Sequence, residues 1–92
     1  MSIATLLETS LRQAFSPDRL IVTDESAAHA GHAGHRPGGE SHFRVRIVSR
    51  SFDGLSRLER HRRVNEAAKA AFAAGVHALA IEAVSPSEPT SW

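Results

Sequence analysis

Hydrophobic residues recur along this 92-residue chain with two alternating periods. Ile3, Leu6, Leu7, Leu11, Ala14 and Phe15 fall at three- and four-residue steps, and Ser2 stands where an N-cap belongs. This spacing predicts an amphipathic helix over residues 3–15. Ser16-Pro17 ends it, because proline lacks an amide and disfavours helical geometry in the residue before it. Arg19 to Asp24 contains the run Leu20-Ile21-Val22, which predicts a first strand. Phe43, Val45 and Ile47 then alternate with Arg44 and Arg46, the two-residue period of a strand over 42–49 with one covered face.

Phe52-Asp53-Gly54 signals a turn, and Ser56-Arg57-Leu58-Glu59 spells a capping box, so a helix starts near Arg57. Leu58, His61, Val64, Ala68, Ala71 and Phe72 form its expected apolar stripe, and Gly75 is placed to end it. Val76 to Val84 reads as a last strand with Leu79 and Ile81 on one parity, followed by a Pro/Ser tail, 85–92, whose Trp92 is expected to close the edge of the core. The segment 27–40 is mostly Ala, Gly and His, without periodicity, and reads as a mobile loop between the first two strands. The order is α-β-β-α-β in a single small α+β domain, residues 1–92, with a three-stranded mixed sheet and helices packed on one face. The long helical crossover suits parallel pairing of the second and third strands, and the direct loop suits antiparallel pairing of the first two.

That topology changes the meaning of the six histidines. If the second and third strands run parallel, His42 and His77 start at the same end of the sheet, beside the loop with His29, His32 and His35. Neutral imidazoles gathered at one edge suit a borderline metal such as zinc, copper, nickel or iron. The same loop spacing also suits a solvated surface segment, and His77 equally suits a half-buried histidine bonded to a backbone carbonyl. His61 lies on the apolar stripe and reads as a packed, hydrogen-bonded residue.

Charge adds a second candidate. The formal net charge is only +1 with histidine neutral, so no global basic excess implies nucleic acid. Arg57, Arg60, Arg62 and Arg63 nonetheless line the long helix, where a solvated face or phosphate contact is expected, with Arg44 and Arg46 on the open sheet face. Gly31-His-Ala-Gly34 matches a KH clamp in letters but lies between strands rather than helices, so it reads as coincidence. No Ser/His/Asp set, paired carboxylates or phosphate loop has the context its chemistry requires, which argues against an enzyme. The absence of cysteine excludes disulfides and any thiolate ligand from this chain and fits a reducing, cytoplasmic setting. Neither a secretory signal, a transit peptide nor a membrane span is expected.

Six motifs in register, taken together, resemble the BolA family: Asp24-Glu25-Ser26, the following loop His29, Ser41-His42-Phe43-Arg44-Val45, Phe52-Asp53-Gly54, Arg60-His61-Arg62 and Val76-His77-Ala78-Leu79-Ala80, with a final Trp92. The match covers nearly the whole chain. The resemblance implies a class II KH-like α-β-β-α-β fold with a short extra turn before the long helix and without the GxxG clamp. It implies a partnership with a monothiol glutaredoxin in which the two proteins share a [2Fe-2S] cluster, ligated by glutaredoxin cysteine, glutathione and histidine from the BolA side. A chain without cysteine, able to offer only imidazole, suits that half-role. By position, His77 matches the family's C-terminal-strand histidine, and His29 the loop position where relatives carry His or Cys. The repeated His-Ala-Gly leaves His32 and His35 as competitors for the role of His29. The resemblance also implies an alternative role as a DNA-binding transcription regulator of morphology and stress genes, using the arginine helix.

Overall fold

The computed structural model describes residues 2–26 and 41–92; the loop 27–40 expected to be mobile lies outside the described residues, apart from Glu40's neighbour Ser41 where the chain resumes. Helix α1 (Ile3–Phe15) starts where Ser2 Oγ accepts the Thr5 amide at 3.1 Å. It ends at Ser16, whose left-handed backbone (φ 44°) returns its N–H to the Arg12 carbonyl. Strand β1 (Arg19–Asp24) pairs antiparallel with β2 (His42–Val48), and β2 pairs parallel with β3 (Ala78–Val84), giving the sheet order β1-β2-β3. The expected extra turn is a 3-10 turn over Arg50–Phe52.

Strand β2 is central, and its alternation decides the layers. Phe43, Val45 and Ile47 are buried beneath the helices, whereas Arg44 and Arg46 face the other side. Two packed clusters lie between sheet and helices. One joins Leu11, Phe15, Val45, Ile47, Phe52 and Val64, with the Phe15 and Phe52 rings 5.0 Å apart; the other joins Leu7, Phe43, Ala68, Ala71 and Val76.

The long second helix differs from expectation. It is broken into α2 (Arg57–Ala67) and α3 (Lys69–Ala73) at Ala68, where φ −90° and ψ 5° tighten the turn and the Ala68 amide is shared between the Val64 and Asn65 carbonyls. The break falls where the chain passes from one cluster, through Val64, to the other, through Ala68 and Ala71. A run of alanines carries no signal of such a step, since every position fits either geometry. Leu58 and Phe72, expected on the apolar stripe, are instead exposed at 60% and 36%. Leu55, just before the helix, packs against the first cluster, and beyond the bend Ala71 takes the inward position rather than its neighbour Phe72. The capping box holds, with Ser56 Oγ accepting the Glu59 amide at 3.1 Å.

Burial sets different costs for two large apolar side chains, Phe52 in the turn and Leu58 at the start of α2. Phe52→Ala should cost about 3–5 kcal/mol by chemical denaturation, because it empties a fully buried site. Leu58→Ser should change stability by less than about 0.5 kcal/mol. A Leu58 variant as destabilised as the Phe52 variant would contradict this placement.

Candidate functional site

The end of the sheet where β2 and β3 begin is built from backbone hydrogen bonds around Ser41. Its carbonyl accepts the amide of His77 at 2.7 Å and that of Ala78 at 3.2 Å, which docks the start of β3 onto β2. The Glu25 amide donates to the His42 carbonyl at 2.8 Å and closes the β1–β2 ladder at the same end. The stem of the 27–40 loop is folded here too: Asp24 Oδ1 accepts the Ser26 amide at 2.9 Å, an Asx-type turn.

Two imidazoles meet at this junction. The rings of His42 and His77 lie 5.7 Å apart, centroid to centroid, at an interplanar angle of 45°. His77 is exposed and immediately precedes β3 instead of opening it, so it is not the half-buried residue that one reading expected. His42 is half-buried, and its Nδ1 is hydrogen-bonded to Ser41 Oγ at 2.9 Å. His29, His32 and His35 lie outside the described residues. Among the described residues no group of three or more His, Cys, Asp or Glu is placed to hold a metal ion. His42 reaches this edge as the topology requires, but its role beside His77 was not singled out by sequence reasoning. Nor were Ser26 and Ser41, whose burial no periodicity announces.

The arginines form a different picture. On the outer sheet face Arg44 Nε donates to Glu25 Oε2 at 3.0 Å, and Arg44 Nη1 and Arg46 Nε both reach Glu82 Oε2, at 3.2 and 3.0 Å. Hydrogen bonds from Arg46 and Arg44 hold the Glu82 carboxyl below its ordinary pKa, and Glu25 chiefly raises that of Arg44. Arg60, with 11% of its side chain exposed, donates to the Leu55 and Ala83 carbonyls at 3.0 and 3.2 Å and to Glu88 Oε1 at 2.6 Å. It therefore ties the C-terminal tail to β3 and is not available on the helix surface. Arg63 pairs with Glu59 at 3.3 Å and Arg62 stands 3.9 Å from the same residue, while Arg57 has no ion-pair partner among the described residues.

The tail itself returns to the sheet. Trp92 is half-buried; its carbonyl accepts from Arg19 Nη1, and the Arg19 guanidinium lies 5.5 Å from its ring centroid. The tryptophan thus stacks on the end of β1 and does not join either core cluster. His61 is half-buried in a groove lined by α2, β3 and the tail, and makes no hydrogen bond among the described residues.

The family model described as BolA-like protein matches residues 11–88. The chain belongs to the BolA-like family. Among its relatives, an uncharacterized protein in the cobS 5′ region of Sinorhizobium sp is 50% identical over the full length of both chains. BolA-like protein 1 of Pongo abelii is 44% identical over 94% of this chain but 60% of its own length. Among solved structures, BolA1 from Arabidopsis thaliana superposes with a TM-score of 0.84 at 32% identity, covering 98% of this chain and 99% of that one. The BolA domain of SufE1 from the same plant gives 0.85 at 37% identity, covering 97% and 98%. These neighbours share the small α+β architecture with its three-stranded mixed sheet.

Two predictions follow from the arginines of this BolA-like domain. Arg60→Ala should lose about 1–3 kcal/mol of stability through its orphaned carbonyl partners, whereas Arg57→Ala should stay within about 0.5 kcal/mol. Equal effects in urea melts would contradict the structural role of Arg60. The second concerns acid. The Ser85 amide, then Arg60, hold the Glu88 carboxyl below its ordinary pKa, as the arginines do for Glu82. A carboxyl depressed in the folded state contributes stability above its unfolded pKa, and that contribution is lost as pH falls from about 4.3 through the lower folded value. Glu88→Gln should therefore melt lower at pH 7 and show a flatter acid limb; parallel melting curves against pH would refute it.

Proposed function

We propose that this BolA-like chain is a non-enzymatic partner of a monothiol glutaredoxin that co-ligates a [2Fe-2S] cluster through histidine, in iron-sulfur cluster trafficking or in iron and redox sensing. The observation that carries the reading is the pair of adjacent imidazoles, His42 and His77, at one edge of a chain that has no cysteine. Two imidazoles on one tetrahedral metal at the usual 2.0–2.1 Å bond length have centroids about 5 Å apart, so the observed 5.7 Å fits such a role after a small ring movement. The same donor set contains no thiolate, so a cluster held here is held jointly, with the sulfur ligands coming from the partner and from glutathione.

Within that half-site the residues have separable duties. His77 is exposed with its own amide fixed to Ser41, which presents the ring outward while its backbone stays anchored. His42 is held by Ser41 Oγ through Nδ1, a contact of the kind that orients ligating imidazoles. The family resemblance assigns the second imidazole to loop residue His29, with His32 and His35 beside it in sequence; the geometry brings His42 beside His77. Where a cluster is bound it supplies one-electron redox capacity, and imidazole in place of thiolate on one iron raises its potential. Among the described residues no helix is long and apolar enough to cross a membrane.

The reading is tested by titrating the purified chain into a cluster-loaded monothiol glutaredoxin with glutathione and following visible circular dichroism. Wild type should give a saturating spectral change, and His77→Ala should abolish or alter it while keeping its fold. His29→Ala and His42→Ala, made separately, should identify the second imidazole as whichever replacement reshapes the spectrum. No change with wild type, or a wild-type spectrum from His77→Ala, would end this proposal.

A further inference from the structure

Behind the imidazole pair stand two buried hydroxyls. Ser26 is 1% exposed and Ser41 is fully covered. Ser26 Oγ accepts the amide of Ser41 at 2.9 Å and the amide of His42 at 3.1 Å, and it lies 3.3 Å from Ser41 Oγ. Two successive backbone N–H groups thus converge on one side-chain oxygen from the far side of the loop, fifteen and sixteen residues away in sequence. The entry of β2 is gripped by the end of the β1 stem, and that stem is itself set by the Asp24 carboxylate on the Ser26 amide.

The grip reaches both rings without touching either. Ser41 is held at its amide by Ser26; its hydroxyl contacts His42 Nδ1, and its carbonyl accepts the His77 amide. His42 carries its own amide to Ser26. A shift of Ser41 therefore acts on the His42 ring through the hydroxyl and on the His77 backbone through the carbonyl. We propose that Ser26 is a positioning residue of the histidine edge, whose buried hydroxyl sets the spacing at which His42 and His77 meet a shared metal or cluster. The proposal rests on the reading of this edge as a cluster half-site, and it names the residue that gives the edge its geometry.

A merely structural serine would affect melting alone, so the test reads the rings. Inter-ring nuclear Overhauser effects between His42 and His77 are recorded for the free chain, and visible circular dichroism for the mixture with cluster-loaded glutaredoxin. Ser26→Ala should keep dispersed amide resonances, lose the inter-ring effects, and weaken the apparent affinity of the mixed complex by about tenfold, the scale of outer-shell partners of metal ligands. Ser26→Thr, which keeps the accepting oxygen, should restore both. If Ser26→Ala fails to fold, Ser41→Ala decides: it removes the hydroxyl through which Ser26 Oγ reaches the His42 ring, leaves the backbone bonds to Ser26 and His77, and should reorient that ring while His77 stays in place. A folded Ser26→Ala with unchanged rings and spectrum, or a Ser41→Ala that leaves the His42 ring unmoved, overturns the proposal. Ring effects that respond to Ser26 in a chain that shows no spectral change with glutaredoxin would leave the positioning role standing and remove the cluster reading instead.

Discussion

The carbonyl of Ser41 takes the His77 amide at 2.7 Å and the Ala78 amide at 3.2 Å, and that junction starts the parallel ladder between β2 and β3. Everything at the histidine edge depends on the ladder running parallel. In an antiparallel pair the start of β3 would lie beside the end of β2, placing His77 at the Val48 end of the sheet, far from His42. Parallel pairing requires a crossover, here α2 and α3, whose inward residues Val64, Ala68 and Ala71 cover Phe43, Ile47 and Phe52. Core packing and site geometry are therefore not independent: the helices that bury the sheet also return the chain to the end where the imidazoles meet.

The uncovered sheet face shows how the same strand serves a second demand. Every other residue of β2 must face away from the helices, and at two of those positions the chain places Arg44 and Arg46. Left alone, adjacent like charges on one strand would repel. Glu82 accepts from both and Glu25 from Arg44, so the face is close to self-neutral. Arg60 follows the same logic within the fold, where two carbonyls and Glu88 consume its donors. What looks in sequence like one basic surface resolves into an internal tie, a paired sheet face, and an exposed helix face carrying Arg57, Arg62 and Arg63.

The element order, the strand pairing and the one-sided helix layer were legible because each follows from a period or a cap: the alternation in β2, the Ser56–Glu59 box, the Ser2 and Pro17 boundaries of α1. The adjacency of His42 and His77 was legible as well, as a consequence of topology. What escaped is what depends on distance rather than pattern. The step at Ala68 lies in an alanine-rich stretch in which no residue prefers one side, so Phe72 was assigned inward by a period that the bend interrupts, while Leu58 sits about 120° around α2 from the inward Val64 and Leu55 packs in its place. Arg60 differs from Arg63 only in what lies above it. Ser26 and Ser41 are short polar residues beside a polar loop, and their burial arises only once two strands close over them. Trp92 was expected at the edge of the core by size alone, but the cation of Arg19 offered it a partner at the sheet end.

A chain without cysteine that gathers imidazoles at one edge has a defined chemical character. Neutral imidazole is a weaker charge donor than thiolate, and it is lost to protonation at a pH where a metal thiolate persists. Under the proposed reading, a cluster completed by such ligands takes its sulfur ligands from a partner, in contrast to a four-cysteine site that one chain holds by itself. His77 is exposed, and the anchoring of its backbone limits the entropy that any ligand held by its ring would cost. Rigid backbone and open side chain are opposing requirements in most loops. Here the strand junction satisfies both, because the hydrogen bonds that fix His77 use its amide and leave its imidazole outside the ladder.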